Sequence, residues 1–171
     1  MTVASDDNSS FKDYATAALP GSLDEIARDF AALSARDRLT LLLDFSDELP
    51  ALPERYEGHP ELLERVDECQ SPLFLAVEVE CATDPADATA GSQQATVRLF
   101  FQAPPEAPTT RGFAGILHEG LDGLTVAEVL AVPDNAPYRL GLGEAVSPLR
   151  LRGMVAMLGR IRRQVRIKSA A

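Results

Sequence analysis

Residues 73–80, LFLAVEVE, alternate apolar side chains with smaller or charged ones, and this period of two is typical of a half-buried β-strand. Residues 95–103, ATVRLFFQA, repeat the alternation. A polar, turn-rich connection, residues 81–94, joins the two stretches. Two alternating strands connected in this way predict an antiparallel hairpin.

Helical signals precede the hairpin. Ser22 and Glu25 have the spacing of a capping box, so we expect a first helix to begin at Ser22. A second helix should follow Ser34 and end before Pro50, since proline cannot continue a helix. Residues 60–66, PELLERV, begin with a proline suited to a first helical turn and predict a third, short helix.

Helical signals also follow the hairpin. Residues 111–121, RGFAGILHEGL, predict a short, mainly apolar helix. Thr125 with Glu128 has capping-box spacing for a further helix over residues 125–132. Ser147 with the following proline predicts the start of a long amphipathic helix, whose apolar face comprises Leu149, Met154, Leu158, Ile161 and Val165. Helices on both sides of the hairpin predict an α+β fold, in which a small antiparallel β-sheet packs against several helices.

Composition restricts the partners. The chain has 171 residues and a formal net charge of −10, which disfavours nucleic acid and anionic membrane surfaces. It has no run of about 20 apolar residues and no secretory signal pattern. We therefore expect a cytoplasmic protein with no nucleic-acid and no membrane partner. Residues 1–20 are polar and predict a flexible extension, and residues 21–168 a single domain.

The sequence lacks the motifs of common hydrolases, nucleotide-binding proteins and metal-binding proteins. There is no Gly-x-Ser-x-Gly elbow, and no glycine-rich phosphate loop follows a strand. A metal site needs three or four clustered ligands, whereas the chain has two cysteines and two distant histidines, His59 and His118. The sequence therefore predicts no metal and no cofactor of its own.

The two cysteines are the remaining candidates for a chemical function. Cys81 ends a predicted strand and fits a packed or turn residue. Cys69 lies in the polar turn VDECQSP, residues 66–72, which we expect to be partly exposed. An exposed thiol in a cytosolic protein is chemically reactive, so a function for Cys69 and a passive role are both open at this point.

Four ordered segments resemble one family. CQSPLFLAVEVE at residues 69–80 resembles the cysteine loop and strand of the SufE family, the Fe–S metabolism associated domain. The likeness extends to residues 41–56, residues 109–132 and residues 147–163, which includes the closing-helix pattern SPLRLRGMVAM. The resemblance implies a SufE/IscU-like fold.

The same resemblance implies a sulfur acceptor and carrier. SufE-like proteins take sulfur from the persulfide of a pyridoxal-phosphate cysteine desulfurase, which they activate, and pass it to iron–sulfur scaffold proteins. Here Cys69 matches the carrier cysteine, Gln70 and Ser71 match its loop, and Arg150 matches the arginine of the closing helix. The sulfur would be held as a transient cysteine persulfide, with pyridoxal phosphate only in the partner. A homodimer is left open.

The chain departs from the family pattern beside its cysteine. Glu68 stands where the family commonly has glycine, and a neighbouring carboxylate should raise the pKa of the thiol. Leu73 replaces a common aromatic residue, so we expect the adjacent Phe74 to supply the apolar wall that shelters a persulfide. Cys81 has no counterpart in the family pattern.

Other functions stay open from sequence alone. One is an Fe- or Zn-binding scaffold on the related fold, and another is a non-catalytic regulator that stimulates a desulfurase without carrying sulfur. A third is a redox switch using a disulfide between Cys69 and Cys81. A simple interaction domain with two incidental thiols is the fourth.

Overall fold

The computed structural model describes residues 17–81 and 91–171. Its sheet has three antiparallel strands in the order β1-β2-β3, with β1 at Glu64–Arg65, β2 at Phe74–Glu80 and β3 at Thr96–Gln102. In the β2–β3 register, Val77 lies opposite Leu99. The predicted α+β class and the predicted hairpin are both confirmed.

The alternation along β2 and β3 gives the sheet one deeply buried face. On that face Leu75, Val77 and Leu99 are essentially inaccessible and belong to the main core. The opposite face is covered by the segment that precedes β1, where the ring of Tyr56 lies 5.1 Å from that of Phe100 between centroids. Both faces of the hairpin are therefore packed, although only one carries the main core.

Five α-helices surround this sheet in the described part of the chain. Two precede it and three follow it, and both of the first two pack against the helix that comes directly after the sheet. Their bounds are α1 Gly21–Ala31, α2 Ala35–Glu48, α3 Pro108–Leu121, α4 Val126–Ala131 and α5 Pro148–Ala170. None of the helices in the described ranges is long and apolar enough to cross a membrane.

Side-chain caps fix three of these helices where the sequence predicts them. Ser34 accepts from the amide of Asp37 at the start of α2, and Ser147 caps α5. Thr125 and Glu128 form the predicted capping box of α4. The box predicted at Ser22 is wrong: α1 begins at Gly21, and the Ser22 hydroxyl donates to the carbonyl oxygen of Gly120 at 2.7 Å. A contact with α3 therefore takes the side chain that would have capped α1.

The short helix predicted over residues 60–66 is also wrong. A single 3₁₀ turn occupies Pro60–Leu62, and strand β1 follows, with Glu64 opposite Leu75. A helix of this length gains too little from its own hydrogen bonds to persist in isolation. Here the extended form buries Leu63 against Tyr56 and Ala76 on the outer face of the sheet, and Val66 in the main core. Tertiary packing therefore decides the local structure.

Helix α5 covers the sheet and reaches the turn before β2. The predicted apolar face is correct at Met154, Leu158, Ile161 and Val165, which are all buried. Leu149 is the exception, because it is 51% exposed while Leu151 is buried in its place.

Residues 1–16 of the predicted extension lie outside the described residues. Residues 17–20 are described, and Leu19 packs against the main core. The domain boundary at residue 21 stays a prediction.

Candidate functional site

The turn that carries Cys69 is pinned at its base by the sheet. The amide of Val66 donates to the carbonyl oxygen of Leu73 at 2.9 Å, which closes residues 66–73 into a loop between β1 and β2. Within the loop, the amide of Cys69 donates to the carbonyl oxygen of Val66 at 3.3 Å. The loop is therefore held firmly at its ends and by one long hydrogen bond near its tip.

A cavity of about 220 Å³ opens beside this loop. Cys69, Gln70 and Ser71 line one side of it, and Arg150 of α5 lines another. Residues 106–110 and Phe113, from the start of α3, complete the wall. The structure thus brings four of the five residues chosen from the sequence to one cavity, although they come from distant parts of the chain.

The thiol of Cys69 is only partly accessible to solvent. Its surroundings raise the pKa of Cys69 to about 11, first because burial disfavours the thiolate and second because the Glu68 carboxylate repels it. The Arg160 guanidinium acts in the opposite sense. The direction expected for Glu68 is therefore found, but burial is the larger cause, and the thiol is protonated at neutral pH.

Glu68 does not line the cavity but pairs with α5. Its Oε2 lies 2.7 Å from Nη1 of Arg160. The pKa of the Glu68 carboxyl is below its usual value, first because its own backbone amide donates to it and further because of Arg160. Arg160 Nε lies 3.2 Å from Oε1 of Glu64, so one guanidinium lies between two carboxylates.

Gly153 brings the axis of α5 against the loop. A Cβ atom at this position would lie 3.2 Å from Sγ of Cys69 and 3.5 Å from its Cα. Any larger residue would therefore crowd the thiol. Sequence reasoning missed both Gly153 and Arg160, since nothing in the local pattern shows which residues of α5 meet the loop.

Arg150 lies in the first turn of α5 with its side chain exposed. Its Nη1 donates to the hydroxyl of Thr109 at 2.9 Å, which ties the start of α5 to the start of α3 across the cavity. The guanidinium supplies positive charge to a cavity that is otherwise lined by one acidic residue, Glu106, and by neutral ones.

The apolar wall differs from the expected one. Phe74 packs with Tyr56, Leu63 and Ala76 on the other side of the sheet and does not line the cavity. The residue after Leu73 points to the outer face because side chains alternate along a strand, and Leu73 itself occupies the core. Phe113 of α3 provides the aromatic surface of the cavity instead.

Cys81 lies far from this site. It follows the end of β2, is exposed and forms no disulfide, whereas Cys69 precedes the start of the same strand. Seven strand residues span roughly 20 Å at ~3.3 Å each, and a disulfide requires Cα atoms within about 7 Å. The geometry contradicts the alternative of a Cys69–Cys81 redox switch.

The metal-binding alternative gains no support from the described residues. Among them, no three His, Cys, Asp or Glu side chains come together in a way that would hold a metal ion. His59 pairs with Glu61 on the surface, and His118 lies 4.0 Å from Asp122 at the end of α3. Neither histidine lines the cavity beside Cys69.

Comparisons with known proteins agree with this architecture. The sequence profile of SufE, described as the Fe-S metabolism associated domain, matches residues 24–165. Two SufE-like proteins of Mycobacterium tuberculosis, from strains CDC 1551 / Oshkosh and H37Rv, are each 51% identical over 152 residues, which is 89% of this chain and 96% of theirs. Both are described as uncharacterized.

Two further proteins with lower identity match a similar share of the chain. A SufE-like protein of Rhizobium etli is 27% identical over 152 residues, covering 88% of this chain and 93% of its own. The solution structure of a hypothetical protein from Thermus thermophilus superimposes with a TM-score of 0.71 at 36% identity, covering 90% of this chain and 100% of the other.

Proposed function

The chain belongs to the SufE family, whose domain is associated with Fe–S metabolism, and from that premise we propose that it carries sulfur on Cys69. In this proposal the donor is the persulfide of a pyridoxal-phosphate cysteine desulfurase, and the recipient is an iron–sulfur scaffold protein. The observation that carries the proposal is the cavity in which Cys69, Gln70, Ser71 and Arg150 meet.

The chemistry of the transfer is an exchange between two sulfur atoms. Cys69 first loses its proton, and its thiolate attacks the outer sulfur of the donor persulfide. A sulfur–sulfur bond forms at Cys69 as the donor's sulfur–sulfur bond breaks, and the donor leaves as a thiolate that takes up a proton. No external oxidant or reductant is needed, because a persulfide is consumed and another is formed.

Burial of Cys69 suits a carrier that reacts only when docked. At neutral pH its raised pKa keeps the thiolate scarce, and the thiolate is the nucleophile. Docking has to remove the proton or stabilise the anion. Arg150, a fixed positive charge on the same cavity, is the residue that we propose assists the anion when the partner excludes water.

The cavity also has room for the product. Its volume of about 220 Å³ is several times the ~30 Å³ that one water molecule occupies in the liquid, so an added sulfur atom fits. The aromatic ring of Phe113 offers that sulfur an apolar contact away from other thiols. A shielded persulfide is protected from the oxidation that converts exposed sulfur species to dead-end acids. A carrier of this kind also fits the cytoplasm, where thiols stay reduced.

Desulfurase turnover separates a carrier from a regulator. We expect the wild-type protein to raise the rate at which a cysteine desulfurase releases alanine from cysteine under limiting reductant, because it removes the persulfide. Cys69→Ser should abolish that increase, and Cys81→Ser should preserve it, since Cys81 is remote from the cavity. Full stimulation by Cys69→Ser would contradict the carrier function and favour a regulator that does not carry sulfur.

A further inference from the structure

The Cys69 loop is joined to α5 by an ion pair. Glu68, the residue before the cysteine, lies 2.7 Å from Arg160, which is two helical turns further along α5 than Gly153. The other charged residue of the loop, Asp67, pairs with Arg65 of β1 at 3.2 Å and so makes no link to α5. Within the described residues, Glu68–Arg160 is the ion pair that joins the loop to the closing helix.

We propose that Arg160 is a positioning residue for Cys69: its ion pair with Glu68 is a latch that holds the loop against α5, and its opening lets the thiol move toward a partner. This inference rests on the proposed function, because it supplies the movement that a carrier thiol needs. The latch itself is a property of the free protein and is measurable without any sulfur donor.

The position of the pair makes it easy to open. The Glu68 side chain is 50% exposed, so on opening its carboxylate passes into water. The Arg160 side chain is only 19% exposed, but it keeps Glu64 within 3.2 Å when Glu68 leaves. Breaking a buried ion pair is costly when it leaves a buried charge without an opposite charge nearby. Opening of the Glu68–Arg160 pair leaves no such charge, because Glu64 stays beside Arg160.

The remaining contacts of the loop tip are weak ones. The amide of Cys69 is bonded to Val66 at 3.3 Å, near the long end of the range for such bonds. Beyond that, Cys69 makes apolar contacts with the edge of the main core and with α5 at Gly153. An ion pair of modest strength is therefore enough to shift the balance between a closed and an open loop.

Removal of the Arg160 side chain should change the reactivity of Cys69 in opposite directions, depending on whether Arg160 acts through its charge or as a latch. The guanidinium stabilises the Cys69 thiolate, so its removal by charge alone should make Cys69 less reactive. As a latch, Arg160 holds the thiol away from solvent, so its removal should make Cys69 more reactive. Glu68 does not separate the two, since its removal accelerates the reaction on either account. Arg160→Gln is consequently the decisive variant.

The test is the rate of Cys69 alkylation by iodoacetamide at neutral pH, measured by intact mass in a Cys81→Ser background. We expect Arg160→Gln to react roughly two- to fivefold faster than the parent, which is the change in rate that loss of a weak, half-exposed ion pair would give. The double variant with Glu68→Gln should react no faster than the more reactive single variant, because both changes open the same latch. A rate for Arg160→Gln equal to or below that of the parent would overturn the proposal.

Arg163→Gln is the matched control. Arg163 lies on the same helix and pairs with Glu64, but it does not contact Glu68, so its removal should leave the alkylation rate unchanged. Equal acceleration by Arg163→Gln would show general loosening of α5 and would also overturn the latch. Arg160→Gln should fold, because Glu64 retains Arg163 and Gln164 as partners, and thermal unfolding checks this.

A conservative variant and the sulfur assay complete the experiment. Arg160→Lys keeps the positive charge and should bring the alkylation rate back toward that of the parent, whereas a rate equal to that of Arg160→Gln would contradict a charge latch. If Cys69 does not carry sulfur, the alkylation rates expected for these variants are unchanged, because they need no sulfur donor. A failure of the latch would in turn leave the persulfide assay on Cys69 unaffected.

Discussion

At the scale of single residues, the reactivity of Cys69 is set by its surroundings more than by its sequence neighbours. Burial is the first cause of its raised pKa, and the adjacent Glu68 is the second. For an acid, a raised pKa means that the thiolate population grows only as the pH rises toward about 11. At neutral pH the free protein therefore stores a protonated thiol, and a docked partner has to change that environment before sulfur moves.

Gly153 provides a residue-scale test of how tightly α5 confines the thiol. Alanine in a helix interior normally gains roughly 0.5–1 kcal/mol over glycine. At position 153, however, its Cβ would lie 3.2 Å from Sγ of Cys69, so the loop must shift by a few tenths of an ångström. We expect Gly153→Ala to raise the alkylation rate of Cys69 about twofold or more and to gain less stability than a neutral glycine-to-alanine change, as measured by urea unfolding.

The same helix contains the control for this change. A Cβ atom at Gly159 would meet nothing within 4 Å. Gly159→Ala should therefore show the full gain in the free energy of unfolding and leave Cys69 alkylation unchanged. Identical behaviour of the two variants would mean that α5 does not confine the thiol.

At the scale of elements, α2 and α3 are locked together by two glycines. A Cβ atom at Gly112 would lie 2.5 Å from the carbonyl oxygen of Leu42, and one at Gly115 would lie 2.2 Å from that of Phe45. The two helices can approach each other this closely only because glycine has no side chain. Helix α3 is thereby fixed in place, and its first turns supply Phe113 and residues 108–110 to the cavity beside Cys69.

The element-scale prediction concerns this helix contact. Gly115→Ala should lower the free energy of unfolding by about 2 kcal/mol, in the range of overpacked cores, because a backbone carbonyl cannot rotate away as a side chain can. Urea unfolding measures the change, with Gly159→Ala as the comparison. A Gly115→Ala variant as stable as Gly159→Ala would contradict the close packing of α2 and α3.

The end of α5 has a second role as an element. Strand β1 covers only the start of β2, which leaves the middle of β2 at a sheet edge. There Gln164 accepts from the amide of Val77 at 3.1 Å, and Lys168 donates to its carbonyl oxygen. Side chains of a helix thus satisfy backbone groups that a neighbouring strand would otherwise pair, which protects the edge from association.

At the scale of the whole molecule, the uneven distribution of charge along the chain serves internal contacts. The chain has a formal net charge of −10, yet α5 is strongly basic. Arg160 and Arg163 of that helix pair with Glu64, and Arg162 pairs with Asp134. The basic helix therefore holds acidic segments of its own chain together, and the charge of the protein as a whole remains negative.

The sequence predicts the parts of this architecture that depend on local signals. Alternation reveals β2 and β3, and the caps at Ser34, Thr125 and Ser147 reveal three helix starts, because these signals act over a few residues. Ser22 and residues 60–66 mislead because a tertiary partner outcompetes the local preference. The assembly of Cys69 with Arg150 follows from family resemblance, and the pairing of Glu68 with Arg160 only from the fold, since spacing alone does not bring distant segments together.

The central claim is that Cys69 takes up sulfur, and intact mass spectrometry tests it most directly. The protein is incubated with a cysteine desulfurase and cysteine, without reductant, and weighed as wild type, Cys81→Ser and Cys69→Ser, while alanine release confirms that the desulfurase is active. We predict a gain of one sulfur atom in the wild type and in Cys81→Ser, and none in Cys69→Ser. The same gain in Cys69→Ser, or no gain in the wild type beside an active desulfurase, would contradict the account.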